Sequence, residues 1–128
     1  MFQYDAKDVV VTYDGVYITG FAEEMVSGSK DEEFFSTSVG AQGDVVTSET
    51  NNPLGTISIT LKKGSPQYRY LVNAGKNKTI APLWVTNPVS GEKYGGTQAR
   101  LKKFPDHTEG AEASDSAFEF QVFDYEEV

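Results

Sequence analysis

Cysteine is absent from the 128 residues. That excludes a disulfide framework and any thiolate zinc site, and it fits assembly in a reducing compartment. Histidine is nearly absent too. His107 stands alone in a polar stretch beside Asp106, with no nucleophile motif to serve as base, so it reads as a surface side chain. Long apolar runs are missing, and none approaches the ~20 residues that cross a bilayer. Met1 to Asp8 shows no basic segment followed by an apolar one, so no secretory signal and no membrane partner are expected. Positive charge is scarce: 11 Lys and Arg against 19 Asp and Glu, a net charge of −8. A surface this acidic argues against nucleic acid as a tight ligand.

The familiar catalytic and metal patterns are missing as well. There is no GxSxG, HExxH, EF-hand or phosphate loop. Asp31-Glu32-Glu33 lacks the spacing of a calcium loop and suits a solvated face. A glycosidase pair among the acids has no signature in sequence spacing. Asn77-Lys78-Thr79 matches a glycosylation acceptor, which without a signal is read as chance. Trp84 and the tyrosines suit core packing better than a sugar platform. No catalytic residue, metal ligand or cofactor is expected.

What is present is a β pattern. Ile57, Ile59 and Leu61 alternate with Thr56, Ser58 and Thr60 between Gly55 and Gly64. A period of two gives one aliphatic face and one hydroxyl face. Ser65-Pro66 opens a short helix ending at Gly75, with Ser65 as cap and Tyr68, Leu71 and Val72 as its apolar stripe. Earlier, Asp8 to Tyr13 and Val16 to Phe21 flank Asp14-Gly15, a hairpin signal. Ala22 to Glu33 reads as a long, exposed acidic loop. Phe34–Val39 and Asp44–Glu49 form a second hairpin, expected to share a sheet with the central strand. Thr79–Thr86, Lys93–Lys103 with a bulge at Gly95-Gly96, and Asp115–Tyr125 complete about eight strands. The expected fold is a single mainly-β domain, residues 1–128: a small barrel or sandwich with one flanking helix. Its core should hold Ile57, Ile59, Leu61, Leu71, Val72, Phe118, Phe120 and Val122.

Charge is segregated. Residues 1–61 and 104–128 are acidic, while 62–103 carries Lys62, Lys63, Arg69, Lys76, Lys78, Lys93, Arg100, Lys102 and Lys103 against Glu92 alone. Two readings stand: balancing within the subunit, or docking of a basic face on the acidic face of another copy.

From Gly43 onward the chain resembles the small tail tube proteins of contractile-tailed bacteriophages. The resemblance rests on the order of Gly43-Asp44-Val45-Val46-Thr47-Ser48-Glu49, the break Asn51-Asn52, Gly55 to Leu61, Ser65-Pro66, Tyr94 to Pro105, Gly110-Ala111-Glu112 and the final aromatic strand. Two departures stand out: Phe118, where tryptophan is expected, and Lys62-Lys63 at a strand end that is usually less charged.

The resemblance implies hexameric rings stacked into a tube, through which DNA passes without specific binding. It implies no enzyme activity. Partners would be other copies of the chain, the tail sheath, the baseplate and the tail terminator, in a virion assembled in the host cytoplasm. Tube proteins of type VI secretion and of tailocins share that architecture. On this footing Asp44, Glu49, Thr56, Ser58 and Thr60 are expected to line the lumen. Glu23, Glu24, Ser27, Lys30, Asp31, Glu32 and Glu33 are expected on an inter-ring loop, and Lys62, Lys63, Lys102 and Lys103 between subunits. The competing readings are a monomeric β-sandwich module binding sugar or protein, and a small β-barrel enzyme or ligand carrier.

Overall fold

The structure is a computed structural model that describes residues 3–107 and 109–128, with Glu24 described only in its backbone. Among the described residues, ten strands and one helix follow a short 3-10 turn: β1 Val10–Tyr13, β2 Val16–Ile18, β3 Phe21–Lys30, β4 Phe35–Val39, β5 Val45–Glu49, β6 Gly55–Leu61, α1 Tyr68–Lys76, β7 Ala81–Asn87, β8 Glu92–Leu101, β9 Ser116–Val122 and β10 Glu126–Glu127. Eight strands form one antiparallel sheet in the order β2-β1-β7-β8-β9-β6-β3, with β10 added to β8. The sheet curls so that strands separated in its order meet across the core. The Tyr13 ring of β1 lies 5.0 Å from Phe120 of β9, and its hydroxyl donates to the Ala99 carbonyl of β8 at 3.3 Å.

The core fills the inside of that curl. Ile57, Ile59, Leu61, Phe118, Phe120 and Val122 are fully buried, and β6 alternates buried and half-buried residues along its whole length. Their strand period places them there. Leu71 and Val72 of α1 join the same cluster, and all eight expected core residues are buried. Phe118, in the position expected for tryptophan, packs edge-on to Tyr68 at 5.5 Å. The Asp14-Gly15 turn has both residues at positive φ, as a type I′ hairpin requires.

Four expectations are corrected. Ala22 to Glu33 is not a loop: residues 21–30 form strand β3, paired with β6 from Val26↔Ile59 to Lys30↔Gly55. Its polar residues face solvent on one side, so the stretch lacks the apolar alternation that marks a strand. Removing Ser27 to Lys30 would take out a sheet strand, not a loop. Second, β4 and β5 pair only with each other in a separate sheet. Proximity in sequence did not bring them beside β6, because β3 holds that edge. Third, Ser65 does not cap the helix; its hydroxyl donates to the Thr19 carbonyl at 2.6 Å and ties the β2–β3 corner down. Fourth, Gly75 lies inside α1 and does not end it. A Cβ there would sit 2.7 Å from a Leu101 methyl, so the glycine admits the helix close to β8.

Candidate functional site: the polar face of the curled sheet and its outlying hairpin

The layer β8-β9-β6-β3 has two unlike faces. Inward lie the core residues. Outward, the register sets Ser29, Thr56, Gln121 and Arg100 in one row. Ser27, Ser58 and Glu119 follow in the next, then Thr60 with Ala117. Lys102 joins the Glu119 row, since its N–H donates to the Glu119 carbonyl at 2.9 Å. The outward residues of β6 and β9 are small, hydroxylated, amide or charged because each strand alternates them with core residues.

These side chains form a connected network. The Thr56 hydroxyl donates to Asp31 Oδ1 at 2.7 Å, and Gln121 Nε2 donates to Asp31 Oδ2 at 3.1 Å. Lys102 Nζ donates to Thr56 Oγ1 at 3.3 Å and to Glu119 Oε1 at 3.4 Å. The bonds from Thr56 and Gln121 hold the Asp31 carboxyl below the usual carboxylate range. Slight desolvation opposes them, and the Lys102 and Lys30 charges add to the lowering.

Helix α1 lies on the other side of the layer. Tyr68 and Gly75 touch Phe118 and Leu101, which both point into the core. Tyr94 of β8 and Tyr125 of the C-terminal segment also pack there, on bare backbone. A Cβ on Gly28 would meet the Tyr94 ring at 2.6 Å, and one on Gly55 would meet Tyr125 at 2.3 Å. The absent side chains on β3 and β6 are what seat the two tyrosines.

The expected lumen residues are only partly brought together. Thr56, Ser58 and Thr60 share the polar face with Glu119, Gln121 and Arg100. Asp44 and Glu49 lie on the outlying hairpin, exposed and in another sheet. Sequence reading missed Glu119 and Gln121, although they alternate with Phe118, Phe120 and Val122 much as the hydroxyls of β6 alternate with its aliphatics.

Of the expected inter-ring residues, Glu23, Ser27 and Lys30 belong to β3, while Asp31, Glu32 and Glu33 follow it. The side chain of Glu24 lies outside the described residues. Lys30 Nζ donates to the Glu32 and Asn52 carbonyls, each at 3.0 Å, and sits 5.3 Å from the Phe34 ring centroid, so it braces the hairpin base.

Among the expected inter-subunit lysines, Lys63 pairs with Glu109, Lys102 with Glu119, and Lys103 with Asp106 at 4.0 Å. Three of the four thus have an acidic partner in the same subunit, with Lys62 unpaired among the described residues.

The hairpin itself is unlike the rest of the molecule. Every residue of β4 and β5 is exposed. Phe35, Val39, Val45 and Val46 are large exposed apolar side chains, joined at the base by Phe34 at 72% exposure. The register puts Phe35, Thr37 and Val39 on one face with Glu49, Thr47 and Val45. No group of acids and histidine able to hold a metal occurs among the described residues. Among the described residues, no helix is long and apolar enough to cross a membrane.

Several solved structures share this architecture. A chain of the PVC extracellular contractile injection system, sheath/tube terminator in the extended state, superposes with a TM-score of 0.67 at 9% identity, covering 100% of this chain and 98% of that one. A chain of the PVC sheath-tube complex gives 0.60 at 11% identity, over 99% and 92%. A chain of the anti-feeding prophage tube-terminating cap gives 0.60 at 10% identity, over 100% and 92%. At these identities the likeness is one of fold. No curated protein sequence matches the chain. Residues 8–128 match the family profile described as Bacteriophage PhiTE tail tube protein, nearly the full length, and the chain belongs to that family.

Proposed function

We propose that this chain is a structural, non-enzymatic subunit that assembles with copies of itself into hexameric rings stacked as a phage tail tube. DNA passes through the lumen without specific binding. The observation that carries the reading is the two-faced layer β8-β9-β6-β3, which is apolar toward the core and polar outward, with β3 at its open edge. An edge strand offers unpaired N–H and C=O groups that a neighbouring copy can complete. Joined edge to edge, such layers close around a channel whose wall is the polar face, with Thr56, Ser58 and Thr60 on it. Helix α1, on the opposite side, then faces outward, where tail sheath would lie; baseplate and terminator would meet the ends of the tube.

The hairpin β4–β5 replaces residues 22–33 as the arm that reaches a neighbouring copy. An isolated two-stranded hairpin is marginal in water, so one this exposed and apolar is built to be covered. In this reading Asp44 and Glu49 act at contacts between copies and leave the wall to the sheet.

Electron microscopy of the purified protein at rising concentration tests the proposal. Sixfold rings and tubes are expected. A monomer that stays monomeric at every concentration and binds a small ligand saturably would instead favour a β-sandwich binding module.

A further inference from the structure

Three of the charges at the polar face are tied together by side-chain bonds, Lys102, Glu119 and Asp31, while Arg100 stands in the neighbouring row beside Gln121. Lys102 stands between the two carboxylates. Its ammonium donates to Glu119 Oε1 at 3.4 Å and to Thr56 Oγ1 at 3.3 Å. The Thr56 hydroxyl spends its own proton on Asp31 Oδ1 at 2.7 Å, so an oxygen lone pair is left to face the ammonium. Gln121 fixes Asp31 from the other side, and donates also to the Gly55 carbonyl at 2.7 Å. The Lys102 side chain is 34% exposed and Glu119 45%, so the cluster is open to whatever passes over the face.

We propose that Lys102 is a masked cation: Glu119 directly, and Asp31 through the Thr56 hydroxyl, cancel its charge so that this lysine does not hold a polyanion at this face. The inference rests on the reading of the polar face as the channel wall. The physical need follows from repetition. A single lysine–phosphate contact is weak, but a cation repeated around each ring and along every ring of a tube would hold a duplex by many contacts at once. A lysine with its carboxylates keeps the wall hydrated without that attraction. The neighbours Ser27, Ser58 and Thr60 are small and uncharged, so they leave the masking to Asp31 and Glu119.

The variant Asp31→Asn/Glu119→Gln tests this in two settings. In dispersed subunits, acylation of the Lys102 amine, located by mass spectrometry, should be at least about twofold faster than in the wild type, the scale of a lost exposed ion pair. An unchanged rate overturns the proposal. In tubes grown with a short fluorescent duplex, the variant should retain tenfold or more nuclease-protected DNA at low salt. Added salt should release it, and Lys102→Gln in the same background should return retention to the wild-type level. Retention that survives Lys102→Gln overturns the proposal. Faster acylation without any protected DNA upholds the masking of Lys102 and overturns the channel-wall reading. If the double variant does not fold, Glu119→Gln alone, which loses only the 3.4 Å contact, gives the same readouts with smaller changes.

Discussion

The curled sheet and the β4–β5 hairpin have similar β chemistry and opposite surroundings. In β6 every second residue is buried; in β4 and β5 none is. Thr and Ser recur in both, between Ile and Leu in β6 and beside Phe and Val in the hairpin. What separates them is what lies against the apolar side. Ile57 and Ile59 meet Phe118 and Phe120 across the β6–β9 pair, whereas Val39 and Val45 meet only each other across theirs. The core of the sheet is thus completed within one chain, while the hairpin and the open β3 edge are left for contacts outside it. Stability and assembly are expected to reside in different parts of the molecule.

The largest effect should come from the sheet. Phe120→Ala removes a fully buried ring in contact with Tyr13, and should cost about 3–5 kcal/mol in urea unfolding. A loss below about 1 kcal/mol would mean that the curl is not held by this core, and the contrast with the hairpin would fail.

Tyr13 sharpens the same point. Its hydroxyl donates to the Thr79 carbonyl at 3.1 Å as well as to Ala99. Tyr13→Phe should cost about 1–2 kcal/mol, since both carbonyls lose a donor. Burial, with the Tyr70 and Asp14 charges adding, pushes the Tyr13 phenol up to about 12. A raised folded pKa gives stability that is complete below the unfolded value of 10.0 and is lost as pH rises toward about 12. Alkaline unfolding followed by circular dichroism should therefore steepen across that window, and less so in Tyr13→Phe.

Asp124 sets a smaller effect at the other end of the pH scale. Its carboxylate accepts from the Gln98 N–H at 3.0 Å, the Thr97 N–H at 3.2 Å and the Thr97 hydroxyl, clamping the bulged part of β8. Burial raises its pKa, but these bonds outweigh it and hold the carboxyl below the usual range. The stability it confers is present above the ordinary carboxylate pKa of about 3.9 and disappears as pH falls through the lower folded value. Asp124→Asn should flatten that acid limb and lower the melting temperature at neutral pH. An unchanged limb would remove the clamp.

The smallest effect on stability should come from the hairpin. Val45→Thr/Val46→Thr should shift unfolding by no more than about 0.5 kcal/mol, because both side chains are exposed. The same variant should fail to form tubes in negative stain. Normal tubes, or a large loss of stability, would break the division between the two regions.

The sequence by itself determined the pieces whose partners lie along the chain. The alternation through Gly55–Leu61 and the aromatic run from Phe118 to Val122 specified strands and their buried faces. Asp14-Gly15 specified a turn, and Tyr68, Leu71 and Val72 specified the helix face. Each follows from a local period or a local φ preference. Only the tertiary structure decided which strands are neighbours. Nothing local in Phe21–Lys30 marks it as the strand beside β6, because its outward residues are polar and its inward ones include Gly28, left bare to admit Tyr94. Once β3 held that edge, the hairpin was excluded from the sheet, and Asp44 and Glu49 were parted from Thr56, Ser58 and Thr60. The grouping of Asp31, Thr56, Lys102, Glu119 and Gln121 likewise spans 90 residues of chain at its widest. It exists because β9 lies between β6 and β8, a pairing set by how the whole core packs.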